Sequence, residues 1–421
     1  MRAGGVGELE HHLAGLAVVD CHEHTYLPDA RPAMIDLGVL LANSDVGDDL
    51  ISSGMPPEAR MGLTWSTASP FLERVRNTGF YRSLILAFRE LFGFDGDEIT
   101  AGDWDTISTA LTDANARPDW YEEVLIRRGR IETILRIQGD ESDPYSVPRR
   151  YFTPIIRFDD WIVSKHPAER ERLAELVGGR AYTLSDYVAA LDGAFAIAEQ
   201  GGAVGAKSML AYRRPLSHGS PTTADAERLY ARTDLSDPEW RALEDYMVHA
   251  VADRAGAHRL PYQIHVGYGS WQRNVVDRAN PLMLNPLIEA HRDTRFVLLH
   301  GGYPFIGEMA TMAKNHPNVY IECGWLAYIA PAVYRRAMSE WLDAVPATKL
   351  LGFSADCTHV EQTLGALILT RRQLALALAD KIRDADWSTP LAEYVGRRVL
   401  YQNARDLYRL DRHDEGGELI D

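Results

Sequence analysis

The sequence predicts an α/β fold, a closed (β/α)₈ barrel (TIM barrel) with a large helical insertion after its first strand. Three observations lead to this prediction. Eight short apolar, β-rich runs recur along the 421 residues, stretches with helical spacing separate them, and polar residues repeatedly stand where the runs end. Alternating strands and helices are typical of parallel βα units. A closed barrel accounts for eight such strands better than an open sheet does.

The eight predicted strands are short apolar runs, most of which end at a polar residue or a glycine turn. They cover Leu16–Val19, Ile131–Ile137, Tyr151–Phe158, Ala203–Leu210, Pro261–His265, Arg295–His300, Asn318–Cys323 and Lys349–Asp356. Two of the intervening helices begin with a capping box, formed by Thr183 with Asp186 and by Ser236 with Glu239. Further helices are predicted at 360–382 and 403–408.

The segment 27–130 contains no convincing strand and is predicted to form a helical insertion between the first two strands. Its apolar residues recur every three or four positions, which indicates helices at 70–75 and 81–92, and a third helix fits 104–115. We expect this insertion to form a lid or one wall of a site at the barrel mouth. No linker or internal repeat divides the chain, so residues 1–421 are expected to form one domain.

Composition and charge exclude several classes of protein. Apolar residues make up 46% and charged residues 25% of the chain, as in ordinary soluble globular proteins. The net charge of -16 argues against binding to nucleic acid or to anionic membranes, because both need basic residues. No apolar run approaches the roughly 18 residues of a spanning helix, and residues 1–10 lack the core of a signal peptide. Three cysteines cannot form a disulfide framework, so we expect the reducing cytoplasm.

Two histidines follow the first predicted strand at the spacing of extended chain. His22 and His24 are two positions apart, so their side chains are expected to project together while Glu23 points elsewhere. Neutral imidazole is the commonest protein ligand for zinc-like ions. The pair is either half of a metal site or two surface histidines in a turn, and the rest of the chain favours the metal site.

Four more polar residues stand at the carboxyl ends of later strands. Lys207 lies late in strand four, His265 ends strand five, His300 ends strand six and Asp356 ends strand eight. In a barrel these strand ends converge on one mouth, where active sites are built. The predicted ligands of a divalent ion are His22, His24, His265 and Asp356.

This ligand set predicts a specific chemistry. A catalytic zinc-type site uses three or four protein ligands and keeps one position open for water or substrate. The ion lowers the pKa of its water towards neutrality and so makes a hydroxide nucleophile. Asp356 is predicted both to ligate the ion and to accept the proton of that water. His300 is predicted to serve the same site as a ligand, an electrophile or a proton shuttle.

Five further residues are candidates with an open role. Lys207 is predicted to be a carboxylated bridge between two metals, an amine that binds a substrate carboxylate, or part of a buried ion pair. Arg157 after strand three, and Tyr212 with Arg213 after strand four, are candidates for substrate contact, because guanidinium groups suit carboxylates. The alternative for these arginines is a solvated loop. Trp325, after strand seven, is predicted to line the pocket or to pack in the core.

The remaining histidines and the cysteines are predicted to be structural or on the surface. His359, close behind Asp356, is a weaker site candidate. The other histidines are His11, His12, His166, His218, His249, His258, His291, His316 and His413. Cys21, Cys323 and Cys357 have no CxxC partner, so a packing role is expected for them.

The ordered set of polar residues resembles the amidohydrolase superfamily. That pattern is an HxH after strand one, an optional lysine after strand four, histidines after strands five and six, and an aspartate after strand eight. The chain supplies, in this order, His22, His24, Lys207, His265, His300 and Asp356. The resemblance extends from Val18 to about Leu410. It implies a divalent ion, zinc in preference, and one ion rather than two, although the count turns on Lys207.

Two branches of the superfamily are similar to different parts of the chain. Gln263–Gly267, His300–Phe305 and Lys207–Arg213 are similar to the amidohydrolase-2 group, which includes hydrolase-like domains fused to glutamine synthetase and also decarboxylases. The insertion, with Asn77–Arg82 and Leu91–Phe94, is arranged as in uronate isomerases, as is Arg157–Asp159. The match to the isomerases fails at His300, and Gly139–Pro144 only approximates their Thr-Asp-Asp-Pro after strand two.

The resemblance and the residues together predict a metal-dependent hydrolase. It is expected to cleave a C–N or C–O bond of a small carboxylate-bearing substrate through a metal-activated water. The alternative is non-hydrolytic chemistry on the same site, as in a decarboxylase or a uronate-isomerase-like aldose–ketose isomerase. A third hypothesis is a non-catalytic barrel. The expected partner is a small molecule, with neither nucleic acid nor membrane, and the sequence leaves homo-oligomerisation open.

Overall fold

Eight parallel strands form a barrel in the computed structural model, which describes residues 4–32, 34–138, 147–270 and 275–410. The strands are β1 (Val18–Glu23), β2 (Ile131–Gln138), β3 (Phe152–Arg157), β4 (Gly205–Ser208), β5 (Tyr262–Ile264), β6 (Phe296–Leu298), β7 (Val319–Glu322) and β8 (Leu350–Leu351). Each strand pairs with the next one along the chain, so the predicted (β/α)₈ class is confirmed. The Gly139–Pro144 segment and His413 lie outside the described residues.

Backbone hydrogen bonds between the first strand and the chain after β8 draw the barrel together. The Cys21 N–H donates to Phe353 O over 3.1 Å, and the Asp356 N–H donates to His22 O over 3.2 Å. The His24 N–H similarly donates to Cys357 O over 3.2 Å. Asp356 is thereby fixed beside His22 on β1 and His24 directly after it, although more than three hundred residues separate them in the chain.

The prediction for the end of the first strand was wrong. The apolar run was expected to stop at Val19, but β1 continues to Glu23. The continuation is buried throughout, because Asp20 and Glu23 find donors inside the protein: Asp20 accepts the His22 N–H, and Glu23 accepts the Cys357 N–H. A buried strand tolerates polar residues where their hydrogen bonds are made. His22 therefore lies within the strand and not in a turn after it.

Helices cover the barrel and connect its strands. They are α1 (Gly4–Gly15), α2 (Leu37–Ala42), α3 (Asp45–Ser52), α4 (Trp65–Val75), α5 (Gly79–Phe92), α6 (Ala101–Asn115), α7 (Asp159–Val163), α8 (Pro167–Glu175), α9 (Leu184–Gln200), α10 (Thr223–Tyr230), α11 (Asp237–Ala257), α12 (Asn285–Ala290), α13 (Ile306–Asn315), α14 (Leu326–Ile329), α15 (Pro331–Ala344), α16 (Val360–Asp384), α17 (Thr389–Arg397) and α18 (Asn403–Tyr408). Short 3₁₀ turns and the π-helical turns Glu122–Arg128 and Arg398–Gln402 complete the connections. None of the described helices has the length and apolarity needed to cross a membrane.

Two helices begin at the side-chain caps that the sequence predicts. The Asp186 N–H donates to Thr183 Oγ1, and the Ser236 N–H donates to Glu239 Oε2, so both predicted capping boxes are confirmed. Each cap satisfies backbone donors that have no partner inside the helix. Between β1 and β2 the described chain forms the five helices α2 to α6, and Gly93 ends α5 at a positive φ of 67°.

Alternate strand residues face two separate apolar layers. Val18 packs towards the outer helices, whereas Val19 joins Leu135, Val297 and Leu351 inside the barrel. This alternation is the expected geometry of extended chain. The closing helix α18 contributes Ala404, Leu407 and Tyr408 to the inner layer. It fills the end of the barrel at which β6 begins, where Arg295 donates to Leu407 O. The opposite end, at the carboxyl ends of the strands, is left for polar residues.

Candidate metal centre

β1 brings both histidines of the HxH sequence to the carboxyl end of the barrel. His22 Nε2 and His24 Nε2 each lie 3.4 Å from Asp356 Oδ1, and the two ring centroids are 5.2 Å apart. Glu23 points away from them, because its carboxylate accepts the Thr363 hydroxyl over 2.7 Å and the Cys357 N–H over 2.6 Å. The carboxylate of Asp356 therefore faces two imidazoles at once.

His300, after β6, approaches the same carboxylate, and His265, after β5, contacts His300. His300 Nε2 lies 3.8 Å from Asp356 Oδ2 and 3.0 Å from His265 Nδ1. His300 and Asp356 both adopt a positive φ, 62° and 52°, which is uncommon for residues other than glycine. Such backbone conformations persist where the surrounding structure requires them, often at functional sites. The ligand atoms of His22, His300 and Asp356 lie within 4.8 Å of one another.

The charges of this cluster and its two imidazole–carboxylate distances fit a divalent cation, and the group of ligand atoms within 4.8 Å of one another includes His300 but neither His24 nor His265. An ion that holds nitrogen and oxygen ligands at ~2.0–2.2 Å in a tetrahedral arrangement keeps neighbouring ligand atoms about 3.3 Å apart. The two imidazole–carboxylate distances of 3.4 Å match that spacing. Burial lowers the pKa values of His22, His265 and His300, which favours neutral rings. His265 Nε2 is also buried without a hydrogen-bond partner in the described chain.

Asp356 is the anionic member of the set. Burial alone would raise the pKa of its carboxyl group, but the imidazoles around it, His22 first, hold that pKa well below its usual range. The side chain keeps some exposure, 13%, towards the cavity described below. A neutral set of imidazoles around an ionised carboxylate is the donor combination that zinc-type ions take.

Gln263 fixes the orientation of His22 from behind. Its Oε1 lies 2.9 Å from His22 Nδ1, and its Nε2 donates to Cys21 O over 2.8 Å and to Tyr408 OH over 2.9 Å. Because both donor positions of the amide are occupied, Oε1 is left to accept from the ring. His22 then carries its proton on Nδ1 and presents a lone pair at Nε2, as a metal ligand requires.

Glu322 at the end of β7 supports the turn that carries His300. One carboxylate oxygen accepts the His300 N–H over 3.0 Å, and the other accepts the Gly324 N–H and the Ser354 hydroxyl. Burial raises the pKa of Glu322 to about 7 even though these donors lower it. The three donors converge on one fully buried carboxylate, so Glu322 links β6, β7 and the chain after β8.

Lys207 lies on β4 in register with Arg157 of β3 and Gln263 of β5. It is completely buried, and its Nζ has no hydrogen-bond partner among the described residues. Burial lowers the pKa of Lys207 to about 7, while Asp356, Asp159 and Glu322 oppose the shift. A buried amine without a partner can take up a substrate anion or be modified, so these two predicted roles keep a physical basis. The third role, a buried ion pair, has no counterpart among the described residues.

A cavity of about 340 Å³ opens above these residues. Its floor includes His22, His24, His265, Lys207 and Asp356. His300 is fully buried and is not among the lining residues, so it lies behind His265 as seen from the cavity. The volume is in the range of small-molecule sites.

An amidohydrolase family model matches residues 171–410, which is more than half of the chain. The chain belongs to the amidohydrolase family. The matched amidohydrolase region contains Lys207, His265, His300 and Asp356 but begins after β3. His22, on β1, and His24, directly after it, join the other residues only through the closure of the barrel.

Known proteins similar to this amidohydrolase include one curated relative and several solved structures. Protein fluG of Emericella nidulans is 31% identical over 238 residues, which cover 51% of this chain and 27% of fluG. The chain thus spans about a quarter of the length of that relative. A glucuronate isomerase from Caulobacter crescentus has a TM-score of 0.81 at 18% identity, covering 100% of this chain and 98% of its own. A proposed metal-dependent hydrolase from Lactobacillus casei has a TM-score of 0.66 at 19% identity, covering 96% and 98%.

Three of the four predicted substrate-contact residues line the cavity of this amidohydrolase. They are Arg157, Tyr212 and Trp325, and the Tyr212 ring centroid lies 4.6 Å from that of His265. Arg213 is exposed and is not among the lining residues. Its neighbour Arg214 points the other way, into a buried ion pair with Asp245.

Several residues at the site carried no predicted role. Gln263 and Glu322 are two of them, although a polar residue inside an apolar strand indicates a buried side chain with hydrogen-bond partners. Asp45 and Arg60 reach the cavity from the insertion. Their placement depends on how α2 and α3 fold back over the barrel, for which the sequence offers no local signal. His359 is buried beside Tyr26 and is not among the lining residues.

Proposed function

We propose that the protein is a metal-dependent hydrolase that cleaves a C–N or C–O bond in a small carboxylate-bearing substrate. The observation that carries the proposal is the contact of one ionised carboxylate with two neutral imidazoles, each 3.4 Å away, on the floor of a small-molecule cavity. The residues that would hold the ion, zinc in preference and one rather than two, are His22, His24, His265 and Asp356. When bound, such an ion supplies Lewis acidity, which polarises the scissile group and lowers the pKa of a water.

The chain's own residues would supply the proton transfer. Asp356 accepts the proton of the attacking water, because its low pKa keeps the carboxylate ionised at neutral pH and its side chain reaches the cavity. The same group then donates that proton to the leaving nitrogen or oxygen. His300, which contacts both Asp356 and His265, would hold these two groups in place and favour the negative charge that develops beside them.

Cationic side chains would orient the substrate. Arg157 and Lys207 are neighbours in register on β3 and β4, and both line the cavity. A substrate carboxylate bound there fixes the scissile bond relative to Asp356, which gains rate through positioning. Tyr212 and Trp325 add apolar walls that exclude bulk water from the reacting atoms.

The test is metal analysis of the purified protein combined with a substrate screen. The screen covers acyl amino acids, lactones, aromatic acids and uronic acids, and mass spectrometry follows the products in ¹⁸O-labelled water. Hydrolysis adds one water, with its ¹⁸O, to the substrate and gives two products, or a single hydroxy acid from a lactone. Release of carbon dioxide, or a product isomeric with its substrate, would replace the proposal with decarboxylation or isomerisation.

A matched pair of variants tests the ligand assignment. His265→Ala is expected to lower both metal content and turnover, because it removes a donor from the cavity floor. His316→Ala serves as the control, since its ring contacts Asn285 away from the cavity. Unchanged metal content and turnover in His265→Ala would show that the ligand assignment is wrong.

A further inference from the structure

The cavity wall that comes from the insertion contains two carboxylates and one arginine. Asp45 and Asp48, both on α3, line the cavity together with Arg60. The Arg60 guanidinium is already committed, because it pairs with Asp48 and donates to Ala42 O over 2.6 Å and to Ser44 O over 3.0 Å. Arg60 therefore neutralises Asp48 and holds the chain around α3 together, whereas Asp45 forms no ion pair with any residue that the structure describes.

Asp45 has one hydrogen-bond donor within the described part of the chain. The indole N–H of Trp325 donates to Asp45 Oδ2 over 3.1 Å. Burial, reinforced by the nearby charge of Asp356, raises the pKa of Asp45 well above its usual value. Burial of a carboxylate that has no cation nearby is unfavourable in free energy, and a cation bound beside it offsets that loss. A positively charged ligand group is the partner that this position favours.

The floor of the cavity offers the complementary charge. Lys207 is 0% exposed, its Nζ has no hydrogen-bond partner among the residues described, and it lines the same cavity as Asp45. The amine lies on β4 at the barrel mouth, whereas Asp45 lies on α3 of the insertion. A single small molecule in about 340 Å³ can therefore meet an anionic group from the insertion and a cationic group from the barrel.

We propose that the cavity binds a zwitterion, with the substrate ammonium on Asp45 and the substrate carboxylate on Lys207. This assignment rests on the proposed function in one respect, since it takes the cavity above the metal ligands as the substrate site. It narrows the substrate class from carboxylate-bearing molecules to those that also carry a free amine. An ammonium suits the position better than a hydroxyl, because charge-assisted hydrogen bonds are roughly twice as strong as neutral ones.

The experiment measures binding of simple acids to the metal-loaded protein by titration calorimetry. The probes are alanine, 4-aminobutyrate and 6-aminohexanoate, whose ammonium–carboxylate separation increases along the series. Each is compared with the same acid without the amine and with the corresponding hydroxy acid. At least one amino acid is expected to bind about tenfold or more tightly than both of its counterparts.

Two substitutions on the same helix identify the group responsible. Asp45→Asn keeps an oxygen for the Trp325 indole but removes the charge, so it is expected to bring the amino acid within about twofold of its counterparts. Asp49→Asn is the control, because Asp49 lies on the same helix but is not among the residues that line the cavity. It is expected to keep the preference for the amine.

Three results would overturn the proposal. They are the absence of a preference for any amino acid in the wild-type protein, an equal preference for the hydroxy acid, and a preference that survives Asp45→Asn. Circular dichroism and metal content of Asp45→Asn establish that the variant is folded and loaded. Metal retention and net hydrolysis, which test the proposed function, are measured on the wild-type protein and require no amine on the substrate, so the two proposals can fail separately.

Discussion

Gln263 Oε1 lies 2.9 Å from His22 Nδ1, inside the barrel and below the cavity floor. The amide cannot flip without losing its donor contacts to Cys21 O and to Tyr408 OH. The hydroxyl of Tyr408 comes from the closing helix α18, so the helix that plugs the bottom of the barrel also orients a histidine at its top. This chain of contacts leads to the first of four predictions.

Removal of the Gln263 acceptor should weaken metal binding. In Gln263→Leu the His22 Nδ1–H loses its partner, so the ring is free to carry its proton on Nε2. The ring cannot bind a metal through Nε2 in that tautomer. We expect a ~10–100-fold loss of metal affinity, measured by chelator competition. Tyr408→Phe removes only one of the contacts that hold the amide and should give a smaller loss. Equal affinity in Gln263→Leu and wild type would contradict this role.

Glu322 should stabilise the fold because both of its carboxylate oxygens accept hydrogen bonds, and not through its shape alone. Glu322→Gln has the same size, but its NH₂ group would face one of the three donors that now meet the carboxylate. We expect a loss of about 1–3 kcal/mol in the free energy of unfolding, measured with urea. Ser354→Ala, which removes a single donor, should cost only about 1 kcal/mol. If Glu322→Gln leaves the free energy of unfolding unchanged, these contacts contribute little to stability.

Truncation of a side chain in the inner apolar layer should destabilise the protein more than truncation of one on the outer surface. Leu407 is 4% exposed inside the barrel plug, whereas Leu391 on α17 is 41% exposed. Leu407→Ala is expected to destabilise the protein by ~2–5 kcal/mol, because it leaves a cavity in the core. Leu391→Ala should stay within about 0.5 kcal/mol. Similar losses in the two variants, measured by denaturant unfolding, would contradict the assignment of α18 as the plug.

The capping box of α11 should make the free energy of unfolding vary with pH in the acidic range. Backbone and hydroxyl donors of Ser236, with Arg232, lower the pKa of Glu239 to about 2 from 4.5. Since the folded pKa is below the unfolded one, the contribution is present above about pH 4.5 and is lost as the pH falls towards about 2. The difference in unfolding free energy between wild type and Glu239→Gln should therefore narrow over this window. A difference that is constant from pH 6 to about 3 would contradict the assignment.

The sequence was most informative where one physical rule acts locally. Alternation of apolar runs and helical spacing identified all eight strands, and the hydroxyl–carboxylate pairs of Thr183 and Ser236 identified the starts of α9 and α11. Strand ends were less predictable. The last predicted strand ran to Asp356, yet β8 pairs only over Leu350–Leu351, because the chain beyond it turns to bond with β1.

The residues of the site also fall into two groups, those that the sequence could identify and those that it could not. Residues that follow strands could be identified from the sequence, because the barrel topology brings every carboxyl end to one mouth; this placed His22, His24 and Asp356 in one prediction. Asp45 and Arg60 could not be identified in this way. They reach the cavity through the packing of α2 and α3, and no spacing within that segment encodes the direction in which it folds.

The sequence by itself determined the barrel, the order of its polar strand ends and the membership of the superfamily, since each depends on periodicity or on residue order. Tertiary structure alone decided which atoms meet: the Asp356 carboxylate between two imidazoles, the Gln263 amide behind His22, and the exposed position of Arg213. Such contacts depend on distances between residues far apart in the chain. Those distances are fixed only when the barrel closes and the insertion packs against its mouth.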